Sequence, residues 1–140
     1  MGRKRFKGKL INLKNNRHSY YNLKYNLILV TKDNRECINK EMEKKLDVIF
    51  KELVENKNGS ILDFHSRANF IYLYFELPVN LNLADFLTNL KTVSSRLIRR
   101  DFKEYLKEFY ENSGFWSENY CIFTERDKFK EYIEEFFSLV

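Results

Sequence analysis

The sequence predicts an α+β fold: an antiparallel sheet of four strands, two helices on one face of it, and one further helix at the C-terminus. Three observations carry that prediction. Strand-like and helix-like periodicities alternate along the chain in the order β-α-β-β-α-β. The two middle strand-like runs are separated by only four residues, Ser66 to Asn69, which is hairpin spacing. The segment from Glu125 to Val140 then returns to the helical period.

Each element has its own justification. Residues 1–18 are polar and basic and read as a flexible arm; residues 19–140 form one domain. Tyr20–Lys32 is β-branched and aromatic with partial alternation, the first strand. From Asn39 the period changes. Met42, Leu46, Ile49, Phe50, Leu53 and Val54 fall on one stripe of a helix, with Asn39 suited to the N-cap and Gly59 to the stop. Ser60–His65 and Phe70–Leu77 make the hairpin, and Pro78 ends its second strand. The second helix buries Phe86, Leu87, Leu90, Val93, Ser94, Leu97 and Ile98, leaving Lys91, Arg96, Arg99 and Arg100 on its other side. Lys103–Gly114 reads as a short helical continuation and a loop, and Phe115–Thr124 as the fourth strand. The terminal helix aligns Phe129, Tyr132, Ile133, Phe136, Phe137 and Val140, with Thr124 and Asp127 as a weakened capping box. This order is the ferredoxin-like split βαβ pattern, a scaffold that hosts many functions.

Composition bounds the function. The chain is 44% hydrophobic and 32% charged, enough for a core on a soluble surface. No run of eighteen apolar residues exists, so no membrane partner is expected. No apolar stretch follows the basic N-terminus, which argues for a cytoplasmic rather than a secreted protein. Cys37 and Cys121 lack metal-ligand spacing and read as reduced thiols. The net charge of +5 is uneven. Residues 1–32 hold nine bases, Arg3, Lys4, Arg5, Lys7, Lys9, Lys14, Arg17, Lys24 and Lys32, and no acid. A basic arm on a mildly acidic body suits a polyanion such as nucleic acid; a solubilising tail is the plainer alternative.

A site search from residue types alone returns little. The four glycines are scattered, so there is no phosphate loop. His18 and His65 lie far apart; Asp63 and His65 share a strand face and offer a metal only two ligands. What remains is bases beside nine Tyr, thirteen Phe and one Trp, a composition that suits single-stranded nucleic acid, although most Phe belong to the core.

The succession LKYNLILVTK, FIYLYFELP, LADFLTNLKTVSSRLIRRDF, GFWSENYCIFT and FKEYIEEF resembles the single-tyrosine HUH transposases of insertion sequences that move as single-stranded DNA, the IS-two-hundred-like enzymes and their REP-associated relatives. The likeness spans about residues 20–137, and its most specific pieces are Lys91–Arg96 and Phe115-Trp116-Ser117. The resemblance implies a third strand carrying His-hydrophobic-His, some apolar residues, then Glu-Leu-Pro. Anchored on Glu76-Leu77-Pro78, the two histidine positions are Phe70 and Tyr72, with Ile71 between them. Tyr132 takes the nucleophile's position, and Phe136 the place of a glutamine that often completes the metal site. The implied chemistry is attack by the tyrosine oxygen on a phosphodiester, giving a 5′-phosphotyrosine and a free 3′-OH, with Mg²⁺ or Mn²⁺ polarising the phosphate. A phenyl ring cannot ligate such an ion and a neutral phenol does so poorly. The metal positions Phe70, Tyr72 and Phe136 therefore read as degenerate, no cofactor is expected, and Tyr132 is either a vestigial nucleophile or a core aromatic.

The resemblance further implies a homodimer with joined sheets that binds hairpin single-stranded DNA in the prokaryotic cytoplasm, at the nucleoid. Its contacts would come from Arg3, Lys4, Arg5, Lys7, Lys9, Arg17 and Lys24 of the arm and from Lys91, Arg96, Arg99 and Arg100 of the second helix. Two alternatives stand beside this. One is an active tyrosine transposase with an altered or metal-free site, in which His65, Asp63 or Glu76 rescues the chemistry. The other is an RNA-binding ferredoxin-like module that stacks bases on exposed Phe70, Tyr72 and Tyr74.

Overall fold

A computed structural model describes residues 8–140. Arg3, Lys4, Arg5 and Lys7 of the expected DNA-binding arm lie outside the described residues. The elements in chain order are β1 (Lys14–Asn15), β2 (Tyr20–Tyr21), β3 (Lys24–Thr31), α1 (Lys40–Glu55), β4 (Ser60–Ser66), β5 (Phe70–Glu76), α2 (Leu83–Asp101), α3 (Lys103–Leu106), β6 (Trp116–Phe123) and α4 (Phe129–Leu139).

The main sheet runs β4-β5-β3-β6, antiparallel throughout, with β3 and β5 inside and β4 and β6 at the edges. This is the strand order of the expected ferredoxin-like fold. β3 pairs with β5 from Lys24↔Glu76 to Val30↔Phe70, and with β6 from Asn26↔Phe123 to Leu29↔Tyr120 before the register shifts. Because side chains alternate along a strand, Leu27 and Leu29 face one way and Ile28 and Val30 the other.

The first face receives α1 and α2. Met42, Leu46, Ile49, Phe50 and Val54 of α1 and Phe86, Leu87, Leu90 and Ile98 of α2 close over Leu27, Leu29, Ile71, Leu73 and Phe75. Each such side chain contributes about 1.5–3 kcal/mol by leaving water. Both helices start where an asparagine can cap them: Asn39 accepts from the Met42 N–H at 2.9 Å, and Asn82 from that of Asp85 at 3.1 Å. The α1–β4 corner needs Gly59, because a Cβ there would lie 2.4 Å from the Glu76 carbonyl oxygen.

The opposite face, left bare by α1 and α2, is covered by α4. Ile28, Val30, Tyr72, Phe123 and Phe136 form a second buried cluster, bordered by Phe70, Tyr74, Cys121, Tyr132, Ile133 and Phe137. No helix among the described residues is long and apolar enough to cross a membrane.

Three expectations are corrected. The strand expected over Tyr20–Lys32 breaks after Tyr21, and β2 pairs with β1 instead. Asn16 closes the turn that folds β2 back on β1: its side-chain oxygen accepts from the N–H groups of His18 and Ser19 and from the Ser19 hydroxyl. The β1–β2 hairpin therefore joins residues on either side of position 18. The Thr124–Asp127 capping box does not form: a 3₁₀ turn over Arg126–Lys128 intervenes, and α4 begins with no side-chain cap. Val140, expected on the apolar stripe, is exposed beyond the last turn.

Candidate functional site

The alternation of β5 sends Ile71, Leu73 and Phe75 to the main core and Phe70, Tyr72 and Tyr74 toward α4. The structure thus gathers Phe70, Tyr72, Phe136 and Tyr132, which lie far apart in sequence, into one cluster. Phe70 meets Phe137 edge-on at 5.2 Å, Tyr72 tilts against Phe129 at 5.8 Å, and Phe136 lies 5.9 Å from Phe137. Tyr72 is only 4% exposed. Its hydroxyl donates to Asn26 Oδ1 at 2.5 Å, and Asn26 Nδ2 donates to the Phe123 carbonyl at 3.1 Å. A short buried polar chain therefore satisfies both side chains inside an apolar layer.

This donor set does not fit a divalent ion. Two phenyl rings offer no lone pair in the ring plane, and the one phenol is committed to Asn26. Burial pushes the Tyr72 phenol up from its ordinary value, against the pull of Arg126 nearby, so its anion is disfavoured. Among the described residues no three His, Cys, Asp or Glu side chains converge on one point. The open stacking platform expected of an RNA-binding module is also closed. α4 lies over Phe70 and Tyr72, and the Arg126 guanidinium sits 4.2 Å from the centre of the Tyr74 ring.

Tyr132 packs by its ring face and keeps its hydroxyl at the surface. Its ring lies flat on Phe123, with centres 4.1 Å apart and planes within 6° of parallel. Its hydroxyl points outward and donates to Glu125 Oε1 at 2.7 Å. The hydrogen bond to that carboxylate pushes the phenol up, and the same bond, with Lys128 at 3.3 Å, holds Glu125 below the usual carboxylate value.

The groups expected to rescue a lost metal are not assembled. His65 and Asp63 do meet, Nε2 to Oδ2 at 3.1 Å, but the same Asp63 oxygen also accepts from Arg126 at 2.5 Å. Burial raises Asp63, yet His65, the Phe64 N–H and Arg126 together outweigh it and hold the carboxyl below its usual value. This pair ties β4 to the turn before α4. Glu76 lies at the other end of β5, 3.6 Å from Lys14.

The expected DNA-binding bases fall into separate places. Lys9 and Arg17 are exposed near the β1–β2 hairpin, and Lys24 opens β3. Lys91 lies back on β6: it donates to the Glu118 carbonyl at 3.2 Å and covers the Tyr120 ring at 5.4 Å, and burial pushes its ammonium down. Arg96, Arg99 and Arg100 line a cleft of about 410 Å³ at the end of α2. Lys103 and Lys107 complete its rim, Glu111 is the one acid lining it among the described residues, and Arg100 and Lys107 pair outside it with Asp101 at 2.8 Å and Glu104 at 3.2 Å. Arg99 Nε is buried there and meets no acceptor among the described residues. Reasoning from sequence missed Lys103 and Lys107. The signal was present, since 96, 99, 100, 103 and 107 recur at helical spacing across the α2–α3 junction. Ser113 borders this cleft and accepts from Lys32, just past β3, at 3.4 Å. The arm's end of β3 lies roughly 25 Å away by the rise of an extended strand.

Comparison with known proteins agrees with this architecture. The profile of the family described as "Transposase IS200 like" matches residues 19–136. The transposases for insertion sequence element IS200 of Salmonella typhimurium and Salmonella typhi are each 29% identical over 120 residues, covering 84% of this chain and 78% of theirs. A crystal structure of a protein described as a transposase, from Deinococcus radiodurans R1, superposes with a TM-score of 0.81 at 20% identity, over 89% of this chain and 95% of that one. The REP-associated tyrosine transposase bound to a REP hairpin shares the fold more distantly, with a TM-score of 0.51 at 8% identity over 86% and 69% of the two chains. With a match that runs over residues 19–136, from β2 into α4, this chain belongs to the IS200-like transposase family.

Proposed function

We propose that the chain binds structured single-stranded DNA, hairpins above all, as a homodimer, and that it does not cut the strand it holds. One observation carries this reading: an aromatic cluster sealed by α4 stands where the family resemblance places the metal ligands, at Phe70, Tyr72 and Phe136. A metal contributes several kcal/mol of transition-state stabilisation to phosphodiester cleavage, and these side chains offer no replacement for it. No resident cofactor is then needed.

Binding asks less of the fold than cleavage does. Arg96, Arg99, Arg100, Lys103 and Lys107 around one cleft suit backbone phosphates, and the arm bases, Arg3 to Lys24, suit a second stretch of backbone. A fold neighbour holds a REP hairpin, which supports the hairpin as the ligand class. The outer edge of β6 pairs with no strand among the described residues, which supports a dimer made by joining two sheets. Such a protein would serve in the prokaryotic cytoplasm, at the nucleoid, as the remnant of an insertion sequence or as a repurposed regulator.

Fluorescence anisotropy tests the reading. Hairpin single-stranded DNA binds more tightly than duplex of equal length at moderate salt; equal affinity for both contradicts it.

One observation favours a second reading, an active tyrosine transposase. The Tyr132 hydroxyl is retained, and Glu125 accepts from it at 2.7 Å, within reach of its proton. That reading requires a covalent protein–DNA link that Tyr132→Phe removes.

A further inference from the structure

Beside the sealed cluster, between the β4–β5 turn and α4, lies a notch of about 220 Å³. Phe70, Tyr72, Phe129 and Ile133 form its walls, and His65 and Arg67 stand at its margin. From these features we infer that the notch is a slot for one unpaired nucleobase of a bound single strand, with Arg67 on the adjoining phosphate. The inference rests on the proposed binding of single-stranded DNA and adds where, and by which groups, an unpaired base is held.

The chemistry of the walls selects the occupant. The exposed Phe129 ring and the half-buried Phe70, with Ile133 beside them, offer apolar surface that a base's π-face matches whatever its sequence, while the buried Tyr72 forms the floor. Phe129 is 36% exposed, so its ring is open to a partner from solvent. The His65 ring extends the aromatic layer, lying 6.2 Å from Tyr72 and within 17° of parallel to it. No acid lines the notch. An apolar peptide side chain would gain nothing from the cationic margin, whereas a nucleotide joins an aromatic ring to an anion and uses both.

The charges are also available. Arg126, the neighbouring cation, is committed to Asp63 and to the Tyr74 face. Arg67 is exposed, its guanidinium donates only to the adjacent Ser66 carbonyl at 3.1 Å, and it pairs with no carboxylate among the described residues. The internal bonds of Tyr72 to Asn26 and of His65 to Asp63 hold the walls in place without closing the notch. A preformed, rigid site of this kind loses little entropy on binding.

The test is an abasic scan of a hairpin oligonucleotide with single-stranded flanks, read by anisotropy against the full chain and against Phe129→Ala and Arg67→Ala. Phe129 is an exposed wall residue and Arg67 an exposed margin residue, and circular dichroism with thermal unfolding confirms that both variants fold. Removing the base at one flank position weakens binding of the unaltered protein about tenfold. Phe129→Ala weakens binding of intact DNA by a similar factor and adds no loss on the abasic DNA. A 2-aminopurine at that position changes fluorescence on binding, and Phe129→Ala suppresses the change. Hairpin binding that is indifferent to every abasic position, or abasic and Phe129→Ala losses that simply multiply, overturns the slot while leaving the proposed function standing. Failure of every hairpin to bind overturns the proposed function itself, and the slot with it.

Discussion

Tyr72 donates its hydroxyl to Asn26 across the β5–β3 pair, and both side chains lie buried beneath α4. The bond anchors the aromatic layer at the positions that the resemblance assigns to metal ligands. Tyr72→Phe removes the donor and leaves Asn26 Oδ1 buried without it. The expected cost is about 1–3 kcal/mol of folding stability, read by urea unfolding. A loss near zero contradicts the role assigned to the pair.

Tyr132 and Glu125 give a prediction about acidity. The hydrogen bond to the Glu125 carboxylate favours the neutral phenol, which is why its pKa is raised. Glu125→Gln removes the charge and returns the phenol toward its ordinary value. A difference titration of tyrosine absorbance, with Tyr132→Phe as the blank, detects a shift to lower pH. No shift, or a shift upward, rules the interaction out.

Asp63 makes the tie between β4 and the turn before α4 sensitive to acid. Its folded pKa lies below the ordinary carboxylate value, so its contribution to stability is present above the unfolded pKa. That contribution is lost as pH falls through the folded value, when the protonated carboxyl releases Arg126 and His65. Stability falls on acidification through the carboxylate range, and Asp63→Asn flattens that part of the curve. Equal slopes for the two proteins contradict the assignment.

The cleft at the end of α2 predicts a salt effect. Arg96 is exposed on its rim and pairs with no acid among the described residues. Arg96→Ala lowers hairpin affinity uniformly across sequences and reduces the slope of log K against log salt by about 1. An unchanged slope removes Arg96 from the phosphate contacts.

What could be read from sequence was what depends on local pattern. Asn39 marks its helix start because an N-cap is a local interaction, and the alternation of β5 places Phe70, Tyr72 and Tyr74 together because a strand has a period of two. Non-local pairings were not readable. Nothing near Asp63 in sequence announces Arg126, 63 residues away, and nothing in the stripe of α4 says which face of the sheet it covers. The β1–β2 hairpin was hidden for a different reason: a single asparagine, Asn16, makes the turn, and no periodicity marks it. For the candidate site, the resemblance named the positions of Phe70, Tyr72, Phe136 and Tyr132, while their packing into one cluster, and the separation of Lys91, laid back on β6, from the cleft of Arg96, Arg99 and Arg100, required the fold.

The central claim is retention of binding without cleavage. It is tested most directly by incubating the full chain with a library of single-stranded hairpin oligonucleotides, with and without Mg²⁺ or Mn²⁺, and resolving the products under denaturing conditions. The account predicts tight, salt-sensitive binding before denaturation and no covalent protein–DNA species under any metal. A denaturant-stable adduct that Tyr132→Phe abolishes would contradict it and establish that the tyrosine still cuts.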